Sequence, residues 1–544
     1  MASVRLVYPS TKEETLASAL GEVFTRPEVV AFMLDLGGYT IDKPLYTYSV
    51  LEPSCGEGDF VIPIVKRLLQ CYQHHVGISE HTVTDLKDAL RAVELNRFNV
   101  THTRDRVIDE LLEYGVGPDQ ASYLANQWIL NQDFLLCELD TKFTHVFGNP
   151  PYVRLESILP DRLAAYRKSH QTMTERADLY VPFIERSLSL LAENGTLTFI
   201  CADRWIKNKY GARLRALIAE QYHLHAYINL SETPAFKKEV DAYPGIFVIQ
   251  NKKPSSTWVI DRSPDIADLP TLYTSLNQSR EVETCDRRRS DFVNGAAPWI
   301  LNSRSTQQIV SQIERNFPLI NEAGCTIGIG SATGADHIFI GKKAELDVED
   351  DRLIPLVKTK DLATGQIQWP GNFLINPYGE DGSLVNLEEF PKLRNYFHQN
   401  EERLKNRYCA KKQPDKWYKT LDRVYPSLQF TPKLLIPDIK QELFTVFDTG
   451  EFYPHHNLYY IATDDWDLRA LQAVLSSDIP KLFLSSYAVK MRGGYLRMQA
   501  QYLRRLRLPK WNDVNSSVKQ KLITAFTTSD SLLGNTATNE MYGL

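Results

Sequence analysis

The first half of the chain alternates short apolar segments with longer stretches of helical periodicity, and this limits the fold more than any other feature. Tyr48-Ser49-Val50-Leu51 reads as a buried strand, broken by Pro53 and a glycine pair, and a helical pattern follows from Phe60 to about His74. Leu90-Arg91-Ala92-Val93, the region Ile129 to Leu136 and Phe143-Thr144-His145-Val146-Phe147 are the next strand-like runs. Asp178 is placed to cap a helix reaching about Glu193, and Asn194-Gly195 then turns into the strand Thr196 to Ile200. Gly245 to Gln250 is a further apolar strand. Strands separated by helices of this length imply right-handed crossovers, so the expectation is an α/β, Rossmann-like doubly wound sheet.

At 544 residues the chain exceeds one ordinary core, and two to four domains are expected. From about Leu276 the spacing becomes irregular, aromatic and turn-rich, as in Asn376-Pro377-Tyr378-Gly379. The reading is therefore a first domain over residues 1–275 and a second, α+β domain over residues 276–544. No apolar run approaches the ~18–20 residues of a membrane helix, and the first residues lack the apolar core of a signal peptide. Seven scattered cysteines without a CxxC pair fit neither a disulfide framework nor a zinc ribbon. The expectation is a cytoplasmic protein with no membrane partner and no metal.

Asn149-Pro150-Pro151-Tyr152 follows a hydrophobic strand directly. Two successive prolines fix φ and remove two donors, so the loop projects rigidly with free carbonyls. The Asn149 side-chain oxygen and the Pro150 carbonyl can both accept from one NH₂ group, and Tyr152 offers a flat face for a planar substrate. The plainer alternative is a proline-rich turn with an incidental tyrosine. Glu52-Pro53-Ser54-Cys55-Gly56-Glu57-Gly58 places a glycine loop after the first strand, where such sheets bind ligands. It lacks the Gly-Lys-Ser/Thr of a phosphate loop, and Glu52 and Glu57 would repel a pyrophosphate. They suit a cofactor carrying a sulfonium and an ammonium. Glu94 ends the next strand, where a carboxylate can accept ribose hydroxyls. Asp133 and Phe134 end the third, where an adenine amine and ring can be held.

In this order, with Thr25-Arg26-Pro27-Glu28 ahead of them, these motifs resemble the gamma-class adenine-N6 DNA methyltransferases of bacterial restriction–modification systems, the TaqI-like family. The resemblance continues through Asp178-Leu179-Tyr180 and Ile329 to Ile340. It ends at Met491-Arg492-Gly493-Gly494-Tyr495-Leu496-Arg497, similar to the closing part of TaqI-like specificity domains, and is weakest between residues 345 and 440. It implies a first domain that binds S-adenosyl-L-methionine through Thr25, Glu52, Ser54, Gly56, Gly58, Glu94, Asp133 and Phe134. Asn149, Pro150, Pro151 and Tyr152 would hold a flipped adenine, with an aromatic near the Gly245 strand, Tyr243 or Phe247, facing the base. Glu94 lies 36 residues after Gly58, against about 20 in a compact unit, which implies an insertion over residues 74–87.

The second domain would read double-stranded DNA, and a separately encoded endonuclease acting on the same site is the implied companion. Net charge is only −5, from 62 basic and 67 acidic residues, so the location of the basic residues matters more than their number. Lys490 to Lys510 holds Lys490, Arg492, Arg497, Arg504, Arg505, Arg507 and Lys510 without an acid, and is the expected DNA surface; a solvated helix face is the alternative. An RNA or protein-glutamine methyltransferase with the same Asn-Pro-Pro-Tyr site is the rival enzyme, and a non-catalytic DNA-binding module the rival of another class.

Overall fold

In the computed structural model, the residues described are 23–544 except 154, 239–242, 279–286, 291–292, 294, 302–303, 489 and 492–494. They form two compact units, residues 1–303 and 304–544. The first is built on β1 (Val50–Glu52), β2 (Leu90–Glu94), β3 (Ile129–Asn131), β4 (Phe143–Gly148), β5 (Leu191–Ala202), β6 (His223–Asn229), β7 (Pro244–Gln250), β8 (Thr257–Ile260) and β9 (Arg287–Ser290). Their order in the sheet is β3-β2-β1-β4-β5-β7-β6-β8-β9. β1 to β5 are parallel, and β7 runs antiparallel between β5 and β6. The helix α1 (Pro27–Leu36) precedes β1, and α2 (Val61–His75), α3 (Thr82–Leu86), α4 (Arg97–Glu113), α5 (Pro118–Trp128), α6 (Pro160–Ser169), α7 (Tyr180–Ser189) and α8 (Ala212–Gln221) lie between the strands in sequence. Two apolar clusters form the core, one holding Val50, Val65 and Trp128, the other Leu51, Phe199 and Phe247.

The chain order reverses between β1 and β4, so their carboxyl ends open a crevice where a doubly wound sheet binds ligands. The expected insertion at 74–87 is the end of α2 plus α3, and its Leu86 carbonyl accepts from buried Trp128 Nε1 at 3.0 Å. The helix assigned to Asp178–Glu193 is shorter than expected. It begins at Tyr180 with no side-chain cap and stops at Ser189, because buried Leu191 already pairs with Phe143 in the sheet. Asn194-Gly195 turns inside β5: Asn194 takes φ 60°, and a Cβ on Gly195 would stand 2.9 Å from the Phe143 carbonyl oxygen.

The first unit runs past the expected boundary at 275. β9 pairs with β8, and Trp299 is buried edge-on against Trp205, ring centroids 5.5 Å apart. Buried Arg215 holds the approach to it by donating to the Ala296 and Ala297 carbonyls at 2.7–3.0 Å. The boundary lies near 303.

The second unit is α+β. It contains β10 (Cys325–Ile329), β11 (Ile340–Lys342), β12 (Leu353–Val357), β13 (Asn372–Ile375), β14 (Lys433–Pro437), β15 (Ile439–Lys440), β16 (Val446–Asp448), β17 (Tyr453–Pro454), β18 (Leu458–Thr463), β19 (Lys490–Met491) and β20 (Tyr495–Arg497). They form sheets ordered β10-β18-β14-β16, β11-β13-β12-β17 and β15-β20-β19. Lys433 and Asp448 form a fully buried ion pair at 2.7 Å, and the ammonium also donates to the Leu428 and Thr431 carbonyls. No helix among the described residues is long and apolar enough to cross a membrane.

If residues 276–303 complete the first unit's core, Trp299→Ala will cost about 3–5 kcal/mol. Urea unfolding checks this. A loss within about 0.5 kcal/mol, the range of ordinary surface substitutions, would return Trp299 to the surface.

Candidate active site

The crevice is shaped first by the loop after β1. Gly56 and Gly58 take φ of 51° and 91°, a region that side chains with a Cβ rarely adopt. Glu94, at the end of β2, fastens this loop: one carboxylate oxygen accepts the Gly56 amide at 2.9 Å and the other the Asn96 amide at 2.7 Å. Thr103, from α4, donates its hydroxyl to the Gly56 carbonyl at 2.9 Å. Glu94 is thus placed at the crevice, with its carboxylate engaged in holding the glycine loop.

Glu52 ends β1 beneath the loop, 1% exposed, and neither of its oxygens has a hydrogen-bond partner. Burial first, and then the nearby Glu94 carboxylate, push its pKa well above the usual carboxylate range, outweighing the nearby Ser54 amide. Asp59 pairs with Lys237 at 2.6 Å through one oxygen, while its other oxygen is buried and unpartnered. Glu57 is exposed, so Glu52 alone of the two expected loop acids is buried. Unpartnered buried carboxylates are costly, and this group is suited to a ligand that brings cationic donors.

Asn149 begins immediately after β4. Its amide nitrogen donates to the Val23 carbonyl at 2.7 Å and to the Thr25 hydroxyl at 3.2 Å. The Val23 carbonyl, which can only accept, settles which end of the amide is nitrogen. The opposite atom, Oδ1, is left buried and without a partner. Ser54 secures the backbone by donating its hydroxyl to the Asn149 carbonyl at 3.2 Å. Gly148 permits the approach, since a Cβ there would sit 2.8 Å from Glu52 Oε1. Sequence reading assigned Thr25 to a cofactor, whereas its hydroxyl is on Asn149. Val23 went unnoticed because it contributes only a backbone carbonyl.

Pro150 is buried, and Pro151 and Tyr152 are half-buried. Phe236 packs edge-on to Tyr152, ring centroids 6.1 Å apart at 81°, and Tyr180 lies 6.4 Å away on a tilt. Main-chain pairing brings Phe236 there: Arg26 N–H donates to the Ala235 carbonyl and Lys237 N–H to the Phe24 carbonyl. Phe236 is the aromatic the sequence reading missed. Phe247 does not face a base: it is fully buried on β7 between Trp205 and Tyr227. Tyr243 precedes that strand with the Arg204 guanidinium 5.8 Å from its ring centroid.

Asp133 lies beyond β3, accepting from the Leu135 amide at 3.1 Å and the Tyr166 hydroxyl at 2.8 Å, with Arg162 at 3.6 Å. Tyr166 and Arg162 both come from α6. Phe134 is turned into the core, against Phe183 and beneath Arg186. The Phe134 ring, expected to pack on an adenine, is buried and contributes to the apolar layer under the sheet.

In the second unit, four residues of the basic stretch are engaged by groups elsewhere in that unit. Arg497 pairs with Asp438 at 2.5 Å. Arg505 pairs with Glu314 at 3.4 Å and lies 4.0 Å over the Tyr487 ring. Arg504 and Arg507 donate to the Ile327 and Phe317 carbonyls. Arg497 and Arg505, both expected to contact DNA, are each engaged by an acid within the second unit. Arg492 lies outside the described residues, as does the Lys490 side chain.

The profile of the Eco57I restriction-modification methylase family matches residues 64–236, and that of the TaqI-like C-terminal specificity domain matches residues 354–508. The Type II methyltransferase M.PaeR7I of Pseudomonas aeruginosa is 49% identical over 529 residues, covering 97% of this chain and 92% of its own. M.XhoI of Xanthomonas vasicola, also a Type II methyltransferase, is 44% identical over 96% of this chain and 97% of its own. The fold is similar to that of the Type IIL restriction-modification enzyme MmeI in complex with DNA: TM-score 0.61 at 13% identity, covering 98% of this chain and 76% of that one. The chain belongs to the Type II methyltransferases of restriction–modification systems, with an Eco57I-like methylase domain and a TaqI-like specificity domain.

The raised Glu52 pKa has a sign that can be tested without ligand. The folded chain keeps this proton to higher pH than the unfolded chain. The resulting stability is present below the ordinary carboxylate pKa and is lost as pH rises through the folded value. Each unit of elevation corresponds to about 1.4 kcal/mol. Glu52→Gln should flatten that decline in thermal unfolding followed from acid to alkaline pH. Parallel wild-type and variant curves would contradict the assignment.

Proposed function

We propose that the chain transfers a methyl group from S-adenosylmethionine to the exocyclic N6 amine of an adenine rotated out of double-stranded DNA. The observation that carries this reading is the dry, unpartnered Oδ1 of Asn149, held by Val23 and Thr25. It is a preset acceptor beside two prolines, neither of which can donate. An amine giving one N–H to Asn149 Oδ1 and one to the Pro150 carbonyl has its lone pair directed away from both. These acceptors stabilise the positive charge that develops on nitrogen, and orientation does the rest. The added proton leaves afterwards, so a strong base is unnecessary. Tyr152 would stack on the extruded base, offsetting ~1–3 kcal/mol of the unstacking cost, with Phe236 at its edge.

The cofactor reading rests on donor chemistry. S-adenosylmethionine supplies an electrophilic methyl group on a sulfonium, together with an ammonium. Glu52, with both oxygens unpartnered, and Asp59, with one, fit such cationic groups. Glu94 holds the glycine loop in place, and Asp133 would hold the nucleoside once its contact with α6 is exchanged. The protein would act in the cytoplasm, protecting DNA against a separately encoded endonuclease of the same specificity.

Asn149→Ala should reduce methyl transfer by about 10²–10³ or more while leaving cofactor affinity near wild type. Sequencing of genomic DNA from expressing cells, with detection of modified adenines, should show N6-methyladenine within one short sequence for the wild type alone. Modified cytosine in place of adenine, or undiminished methylation by the variant, would overturn the reading.

Cofactor binding should also release a proton, since a cation beside Glu52 favours its ionised form. Affinity should therefore rise with pH up to the free-enzyme pKa of Glu52. Calorimetry in two buffers of different ionisation enthalpy measures this; equal apparent enthalpies would count against Glu52 as the cation's partner.

A further inference from the structure

Residues 403–423 carry eight basic side chains against two acidic ones, a net of +6 on a chain whose total is −5. The structure separates the ones that build from the ones that are free. Arg407 is turned inward and donates to the Thr333, Leu404, Trp417 and Lys419 carbonyls at 2.8–3.0 Å, which locks the path of this segment. Lys405 is taken by Glu401, and Lys419 donates to Gln413 at 2.7 Å. Arg403, Lys411, Lys412 and Lys416 are exposed and form no ion pair among the described residues.

Large apolar side chains stand among these cations. Tyr408 is 70% exposed with Lys412 4.7 Å from its ring centroid, and Tyr425 is 55% exposed with Arg423 at 4.9 Å. Exposed Leu421 lies beside them in sequence, and an open cleft of about 540 Å³ is lined by Lys416, Tyr418, Lys419, Leu421 and Arg423. Keeping unpaired lysines together on a rigid segment costs mutual repulsion, which a polyanion would relieve. Exposed rings between cations suit a partner that presents flat apolar edges as well as phosphates.

Resting on the methyltransferase reading, we infer that residues 403–425 form the surface of the specificity domain that binds the phosphate backbone of duplex DNA. Arg403, Lys411, Lys412 and Lys416 are its phosphate contacts, and Tyr408, Leu421 and Tyr425 press against sugars and bases. This assigns the electrostatic footprint to a segment inside the region matched by the TaqI-like specificity profile, ahead of the stretch after residue 490.

The test is the full-length chain carrying Lys411→Glu, Lys412→Glu and Lys416→Glu, with the corresponding triple Gln variant as a milder partner. Binding to duplex oligonucleotides is titrated at several salt concentrations, and cofactor binding is measured alongside by calorimetry. The inference expects affinity for every duplex to fall at least tenfold at low salt. The log–log salt slope should become shallower by about 0.9 for each lost contact, with cofactor affinity unchanged. Wild-type affinity and slope in both variants, while wild type binds and methylates duplex DNA, would overturn this surface and leave the proposed function standing. A wild-type protein that binds cofactor but methylates no DNA would overturn the function itself. Preferential capture of single-stranded RNA by this surface would also contradict the inference.

Discussion

The orientation of one amide underlies the site. Asn149 could present either end of its side chain to the crevice, with opposite chemistry. The Val23 carbonyl can only accept, so the nitrogen must face it, with the Thr25 hydroxyl as a second acceptor, and Oδ1 must point the other way. This makes the segment before α1 part of the site, although it contributes no reactive group. Its own position depends on pairing with residues 235–237, the same contact that carries Phe236 to Tyr152. The acceptor and the edge of the aromatic pocket are therefore set together.

The second constraint is electrostatic. Glu52, Glu94 and Asp59 crowd the crevice with carboxyl groups. Glu94 is satisfied by backbone amides and Asp59 partly by Lys237, leaving Glu52 without a donor. Such an arrangement disfavours anionic ligands and rewards cationic ones, which is why the glycine loop here is read differently from a phosphate-binding loop. The left-handed glycines permit the tight turn after β1, and a Cβ on Gly58 would press on Thr103 of α4 at 3.1 Å.

Much of the first unit was legible because β1, β2 and β4 are short, largely buried segments closed by turn signals. Asn149 and the glycine loop were legible for the same reason: each follows a recognisable strand end. What escaped depends on contacts distant in sequence. Trp299 joins the first core by packing on Trp205, so the boundary moved from 275 to 303. Phe236 reaches Tyr152 through pairing with a segment some 210 residues earlier. The basic stretch after 490 looked unopposed because its acids are remote: Asp438 is 59 residues from Arg497, and Glu314 is 191 from Arg505. Phe247 was a reasonable candidate by position, yet β7 is buried on both faces and offers no side chain to the crevice.

The central claim concerns where a nitrogen sits relative to one oxygen. A crystal structure of the protein with its duplex and an unreactive cofactor analogue measures that directly. The account expects an extrahelical adenine with N6 within hydrogen-bond distance of Asn149 Oδ1 and the Pro150 carbonyl, and the bond from Asn149 to the Val23 carbonyl unchanged. An adenine left stacked in the duplex, or one whose amine is held elsewhere while Asn149 has turned its nitrogen towards the base, would contradict it.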